Sequence, residues 1–514
     1  MSMLMRKNLF LFILSLILLP LSLPAASPSQ LRSRVIVGAS IIDGTGRRPF
    51  RASVRIEGDR ITRVGLFAHG PGEEVINARG LVLAPGFIDI HNHSEQGLDI
   101  DTAATSQVSQ GVTTLAVGPD GSSPWPVGDY LSRREQMRAS VNVLSFVGHA
   151  TVRYQVLGED YNRQATEKEI QLMRELVERG MREGAFGLST GLEYDMGRAS
   201  TTEEVIELAR IAARHGGIYM THMRDEEEGM IEALGEAIRI GREAGLPVQI
   251  SHIKMGNRNV WGKAVEAIKV ISRARRSGLD ITADCYPYTA WASTIAILVP
   301  SRRHTDPAAV ETGLRNVGGA GNVLITNCKA HQDYEGKTLE EIARDTGSTP
   351  VAVYQQIIKD GGAAVVCSSM NEADVRAFYQ QSWVMVSSDG GIGSRHPRGA
   401  GTFPRVLGRF VRENRWLVLS EAVRKMTSMP AERLGLSDRG VIRAGMKADL
   451  VLFDPKKVID RSTFKEPQLL STGIEQVFVN GEAVWVAGRA TGARPGVVIR
   501  KKEAGKKEAA VGRN

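Results

Sequence analysis

Residues 84–93 read Ala84-Pro85-Gly86-Phe87-Ile88-Asp89-Ile90-His91-Asn92-His93, a short apolar run that ends in two histidines two positions apart. Proline and glycine mark where the run begins, and its apolar residues are those of a buried strand. On an extended backbone residues i and i+2 point to the same side, so His91 and His93 present their imidazoles together at the strand's end.

Working outward from this strand, apolar runs recur and alternate with longer amphipathic stretches, the pattern of βαβ units and a parallel sheet. The runs end near Ile90, Val117, Phe146, Leu188, Met220, Ile250, Ala283 and Val386. Eight such strands are the number a (β/α)8 barrel needs. Helical stretches at Glu167–Glu183, Thr202–His215 and Glu227–Ala244 are each followed by a glycine (Gly184, Gly216, Gly245), as helix C-termini favour. The interval Trp291–Tyr379 is too long for one connection and carries helical patterns of its own at Leu339–Asp345 and Val351–Lys359. It reads as an inserted subdomain, a lid over the barrel mouth.

The flanks have a different texture. Arg34–Val64 alternates apolar and polar positions around the turns Asp43-Gly44 and Gly58-Asp59, and similar strands recur at Leu450–Phe453, Val477–Val479 and Val484–Val486. The expected architecture is α/β: a TIM-like barrel at 84–430 that includes the insert 291–379, and a small β-sandwich built from both chain ends, 27–83 and 431–496. Residues 497–514 then read as a basic, flexible tail.

Composition narrows the function classes. In 514 residues, Lys+Arg 65 against Asp+Glu 57 leaves a net charge of +8, with 42% hydrophobic residues. That apolar content excludes general disorder, and three cysteines (Cys285, Cys328, Cys367) exclude a disulfide scaffold, so they are read as buried or free thiols. The positive charge gathers at the extremities, without aromatic residues interleaved in a basic stripe, which argues against nucleic-acid binding. Arg6 and Lys7 precede the apolar run Leu9–Leu23, followed by Ala25, Ala26 and Ser27. This reads as a signal peptide, residues 1–26, cleaved near Ala26, so the expected product is exported to the periplasm or the exterior, with no stable membrane span after cleavage.

Further polar groups fall at the ends of other strands: His222 after Ile218–Thr221, His252 after Val248–Ser251, and Asp389 after Val384–Ser388. The C-terminal ends of the strands are the face on which such barrels build their sites. Four imidazoles and a carboxylate converging there suit Zn²⁺ or a similar divalent metal. Such a metal lowers the pKa of a water it binds to about 7 and polarises a carbonyl, which points to hydrolysis of an amide-like bond. No Gly-x-Ser-x-Gly elbow accompanies Ser189 or Thr190, and Asp284 is read as strand-end structure or support for the site.

The residues resemble the amidohydrolase superfamily and, within it, the D-aminoacylases or N-acyl-D-amino-acid deacylases. The resemblance spans nearly the whole mature chain. It rests on the 84–93 stretch and on Gln110-Gly111-Val112-Thr113-Thr114, Val147-Gly148-His149, Gly187–Leu192, Thr221-His222-Met223-Arg224, Ile250–Lys254, Ala283–Tyr288, Ser388-Asp389-Gly390, His396-Pro397-Arg398, Gly401–Arg405 and Gly445–Leu450. It implies hydrolysis of N-acyl-D-amino acids to a carboxylate and a free D-amino acid, with one or two zinc ions. His91, His93, His222 and His252 would be metal ligands. Asp389 would be a ligand, or the general base that takes a proton from the attacking water and hands it to the leaving amine. Lys254, Tyr286 or Tyr288, Arg398 and Tyr194 would hold the substrate, Arg398 through two-pronged binding of its carboxylate.

Two positions depart from that pattern. D-aminoacylases carry a cysteine ligand after the second strand in a Gly-Asn-Cys-Gly turn, whereas this chain has Gly118-Pro119-Asp120-Gly121. Asp120 is read either as an oxygen ligand in the thiolate's place or as an ordinary turn residue. Glu193 occupies a position usually apolar in those deacylases, near where other superfamily members place a metal-bridging lysine carbamate, so its carboxylate could bridge two metals. The alternatives are another amidohydrolase, acting on cyclic amides or unusual dipeptide linkages, and a non-catalytic binding protein on the same scaffold.

Overall fold

Eight runs of buried sequence form one closed ring of parallel strands: Phe87–Asp89, Val112–Val117, Asn142–Ser145 continued by Val147–Gly148, Gly187–Gly191, Ile218–His222, Val248–Ile250, Ile281–Cys285 and Val384–Val386. They are called strands one to eight below. The ring is the expected (β/α)8 barrel, seen in a computed structural model that describes residues 33–502. All six residues of Val112–Val117 are buried, as befits a strand covered on both faces.

Each strand pairs in parallel with the next. Strand three breaks at Phe146, so its first part pairs with strand two and its continuation with strand four. Closure between strands one and eight is made just beyond their ends. There Asp389 N–H donates to the His91 carbonyl (3.0 Å) and His93 N–H to that of Gly390 (2.7 Å). The bonds that close the barrel therefore also fix His91, His93 and Asp389 relative to one another.

Helices Glu167–Arg182, Thr202–Arg214 and Met230–Ala244 form part of the outer layer. The first starts with a capping box between Thr166 and Glu169, and the third ends at Gly245, whose φ of 71° lies in the left-handed region that glycine tolerates. The third begins at Met230 rather than Glu227, because the Asp225 carboxylate takes the Glu227 N–H (2.7 Å) into a turn. Residues 223–229 are thereby a loop over the barrel mouth.

The insert carries an antiparallel sheet ordered Trp291–Thr294, Ala364–Cys367, Val323–Asn327, with helices Pro307–Asn316, Leu339–Asp345 and Pro350–Lys359. Helix Glu372–Tyr379, assigned to the insert from the sequence, packs on strands seven and eight and on Ala264–Arg276. It is the barrel's last crossover helix, so the inserted part ends with the sheet.

Both flanks meet in two small sheets. One holds Arg34–Val37, Ser53–Glu57, Arg60–Gly65 and Glu74–Asn77; the other inserts Leu450–Phe453 between Val82–Pro85 and Ile474–Val479. Ile36, Val54 and Ile56 from the first share a core with Leu83, Leu450 and Phe478 from the second. Residues 497–499 are held to the barrel: Val143 N–H bonds the Val497 carbonyl (3.0 Å) and Ile499 N–H that of Val143 (2.8 Å). Their apolar side chains, Val497-Val498-Ile499, distinguish them from the basic tail to which composition assigns them. The leader assignment falls outside the described residues, among which no helix is long and apolar enough to cross a membrane.

Candidate metal centre

The strand ends place five of the sequence-predicted groups around one point. His91 Nε2 lies 3.1 Å from Asp120 Oδ2 and 3.4 Å from Asp389 Oδ1, and His93 Nε2 lies 3.4 Å and 3.2 Å from the same two oxygens. His252 Nε2 is 3.4 Å from Asp120 Oδ2 and 2.9 Å from His222 Nδ1. His222 Nε2 in turn is 2.7 Å from Glu193 Oε2. Asp120 thus stands between the pair His91/His93 and the pair His222/His252.

Three of these residues have a backbone that side chains rarely adopt: Asp120 (φ 53°), His252 (φ 32°) and Asp389 (φ 48°). Such conformations persist where surrounding contacts over-determine them, and they gather at functional sites. The Asp120 turn is held by a close approach, since a Cβ on Gly121 (φ 80°) would sit 2.7 Å from the Gly191 nitrogen. Only glycine lets the second-strand loop rest on the end of strand four.

Glu226, which no sequence argument singled out, completes the cluster. It is buried, with Oε1 3.0 Å from His252 Nδ1 and Oε2 3.7 Å from His222 Nε2, and it pairs with the Lys254 ammonium. Its signal was the spacing of four residues from His222, masked by the acidic run Asp225-Glu226-Glu227-Glu228, which reads as the first turn of a helix.

Donor atoms of His91, Asp120, His252 and Asp389 all lie within 4.8 Å of one another, and those of His222, Glu226 and His252 form a second such set. The electrostatics suit a cation. Burial opposes protonation of His91, yet Asp120 and Asp389 outweigh it and hold the imidazole well above its ordinary pKa. His93 and His252 are likewise pushed up to about 9 against burial, His252 also against Lys254, by the surrounding carboxylates. Asp120 and Asp389 are held low in spite of burial, by His91 and His252 at the first and chiefly by Arg398 at the second. Asp120 Oδ1 is buried with no hydrogen-bond partner. Nitrogen and oxygen donors gathered in a field that demands positive charge fit zinc.

The cluster floors a cavity of about 520 Å³ whose lining includes Glu193, Tyr194, Glu226, Lys254, Arg398 and, from the insert, Trp291, Ile297 and Val366. Tyr194 lays its ring against His222 (centroids 4.4 Å apart) with its hydroxyl 3.2 Å from Nδ1. Lys254 Nζ is 2.8 Å from His252 Nδ1. Arg398 Nη1 reaches Asp389 Oδ2 at 2.6 Å and its guanidinium lies over the Tyr286 ring. The structure sets Tyr286 and Tyr288 apart from the other candidates, since neither lines the cavity. Tyr286 supports Arg398 from behind, and the Tyr288 hydroxyl turns to the Pro397 carbonyl (3.3 Å). Cys285, Cys328 and Cys367 are buried and unpaired.

Comparison with known proteins agrees with this geometry. The amidohydrolase family profile matches residues 74–485. D-aminoacylase of Alcaligenes xylosoxydans xylosoxydans is 36% identical over 92% of this chain and 99% of its own length. A solved D-aminoacylase, studied for the functional role of its binuclear metal centre, superposes with a TM-score of 0.83 at 36% identity, covering 91% of this chain and 99% of that one. N-acyl-D-glutamate deacylase from Bordetella bronchiseptica, solved with zinc and a phosphonate mimic of the tetrahedral intermediate, gives a TM-score of 0.83 at 33% identity, covering 92% and 100%. The chain belongs to the amidohydrolase family.

Proposed function

We propose that the protein is a zinc-dependent hydrolase that cleaves N-acyl-D-amino acids to a carboxylate and a free D-amino acid. The observation that carries this reading is the convergence of His91, His93, His252, Asp120 and Asp389 on one point, with His222 beside His252, at the floor of a cavity that also presents Arg398. His91, His93, His222 and His252 would hold the metal, with Asp120 and Glu193 supplying oxygen where the resemblance implies a thiolate. A divalent metal bound there lowers the pKa of a water to about 7 and polarises an amide carbonyl.

The remaining roles follow from what each side chain is free to do. Arg398 occupies Asp389 Oδ2, which leaves Oδ1 facing the histidines as the acceptor for the attacking water's proton. Asp389 then delivers that proton to the leaving nitrogen. Arg398 lines the cavity beside Asp389, which places its guanidinium to meet the substrate carboxylate. Lys254 lies in the same cavity but is already engaged with Glu226 and His252, which makes it the weaker holder of that carboxylate. The wall contributed by the insert is uncharged and more apolar than polar, with Trp291, Ile297, Val365 and Val366 beside Ser293, Thr294, Thr326 and Asn327, and Arg395 at its mouth is paired with Glu335 (3.4 Å). This favours apolar acyl groups and side chains over acidic ones. Export after removal of residues 1–26 is part of the same proposal, supported by the Arg6-Lys7 and Leu9–Leu23 pattern.

The test is metal analysis of the purified protein, with release of amino acid from paired N-acetyl-D- and N-acetyl-L-leucine and from N-acetyl-D-aspartate, with and without a chelator. Chelator-sensitive, D-selective hydrolysis that favours leucine is expected. Bound zinc without turnover on either series would move the substrate elsewhere in the family. Fractionation with N-terminal sequencing tests export, and an unprocessed N-terminus in the cytoplasm would refute it.

A further inference from the structure

Strand seven brings no histidine to the metal centre and Asp284, near its end, does not line the cavity. Yet this carboxylate is fully buried directly behind the cluster, and among the described residues no lysine or arginine pairs with it. Donors from the ends of strands six and eight converge on it. Oδ1 accepts the His252 N–H (2.9 Å) and the Ser387 hydroxyl (2.6 Å), and Oδ2 accepts the Gln249 amide (2.7 Å). Both oxygens receive protons from others, the hydrogen-bonding pattern of an ionised carboxylate. Among the described residues its one ionic neighbour is His91, whose Nδ1 lies 3.6 Å from Oδ1. That separation exceeds a hydrogen bond, but Nδ1 is buried and has no hydrogen-bond partner of its own.

These contacts bear on the ligands rather than on the fold alone. His91 Nε2 faces Asp120 and Asp389, so a proton on Nδ1, directed at Asp284, leaves the Nε2 lone pair free for a metal. The bond to His252 N–H holds one of the three left-handed residues of the site in place. A buried anion with neither lysine nor arginine beside it is expensive, and a metal bound on the far side of His91 would supply positive charge.

We propose that Asp284 is a positioning residue of the metal centre, fixing the His91 tautomer and the His252 backbone so that both Nε2 atoms face the metal. The inference rests on the zinc reading above and adds a residue that touches neither metal nor substrate. Groups of this kind set metal affinity by about 10- to 100-fold.

The experiment measures the zinc dissociation constant of the full-length protein by competition with a chromophoric chelator, for wild type, Asp284→Asn and Ser387→Ala. Circular dichroism and melting of the metal-free forms report folding. Asp284→Asn is expected to weaken zinc binding about 10- to 100-fold, and Ser387→Ala, which removes a tie between strands but leaves the carboxylate, by less than about threefold. A folded Asp284→Asn protein that binds zinc like wild type overturns this inference alone, as does equal weakening in Ser387→Ala. Wild type that takes up no zinc overturns this inference and the proposed function together. Should Asp284→Asn not fold, anomalous diffraction at the zinc edge from wild type decides: ligation through His91 Nε2 is expected, and ligation through Nδ1 refutes the proposal.

Discussion

Replacing Arg398 by alanine removes a guanidinium 2.6 Å from Asp389 Oδ2, in a pair whose side chains are only 8% and 6% exposed. Burial pushes the Asp389 carboxyl up, and Arg398 is the largest of the influences that hold it down, ahead of His252 and His91. Unit charges about 4 Å apart at an effective dielectric near 20 interact by about 4 kcal/mol. That corresponds to about 3 pK units, and water entering the vacated space reduces it to about 1–3. A base works in its deprotonated form, so raising its pKa moves the acid limb of kcat/KM to higher pH by the same amount. Arg398→Lys keeps the charge and should move the limb less. The assay is the pH–rate profile on N-acetyl-D-leucine, with KM followed in parallel to register any loss of carboxylate binding. An acid limb that stays in place while KM rises would leave Arg398 as a substrate clamp and refute its influence on Asp389.

Metal removal should abolish hydrolysis and lower stability by about 4 kcal/mol relative to protein in a 1,000-fold excess of free zinc over its Kd; thermal melts and activity with and without a chelator measure both. Arg302, itself in a left-handed conformation (φ 57°), donates from the insert to the Glu193 carbonyl (2.9 Å) and to Asp195. Arg302→Ala should therefore loosen Glu193 and reduce metal content or affinity, and zinc titration equal to wild type would exclude that link. Glu204 is buried against His149 (2.9 Å) and Arg153 (2.6 Å), which outweigh burial and hold its carboxyl below the usual range. With the folded pKa depressed, this stabilisation is complete above the unfolded value of about 4.3 and is lost as pH falls through the folded one. Glu204→Gln should cost about 3 kcal/mol at neutral pH and flatten the acid limb of stability, measured by denaturant unfolding from pH 7 to pH 3.

The barrel was legible because strand burial on both faces leaves nearly continuous apolar runs, and because the candidate ligands stand at the ends of those runs. His91, His93, His222, His252 and Asp389 fall on one face from the sequence alone, since each stands at the end of a strand in the same sense. Glu226 was not legible: its loop exists because Asp225 caps Glu227, a local competition that delays the helix to Met230. Tyr288 fails for the opposite reason. Its position two residues past Tyr286 puts it near the site in sequence, but its hydroxyl finds the Pro397 carbonyl behind the wall. Residues 372–379 carried a helical pattern whose ownership, insert or barrel, depends on which strands lie beneath it, and no local pattern encodes that.

The sequence reads Asp120 as either a ligand or a turn residue, and its geometry separates the two. The carboxylate stands within 3.4 Å of three imidazoles, with Oδ1 free of any hydrogen bond, in a left-handed turn that Gly121 secures. The resemblance to D-aminoacylases implies a thiolate at this point, and an aspartate there replaces a soft donor by a hard one while Glu193 adds another oxygen beside His222. Soft thiolates select zinc strongly, whereas carboxylates also accommodate manganese and other harder cations. The wild-type centre should therefore be reconstituted by manganese as well as zinc, with affinities closer together than a thiolate would allow. Asp120→Cys should widen the gap by about tenfold or more in favour of zinc, read as the metal ratio retained after equilibration with equal concentrations of both ions. A ratio unchanged by the substitution would mean that Asp120 only shapes the turn, and would hand the bridging position to Glu193.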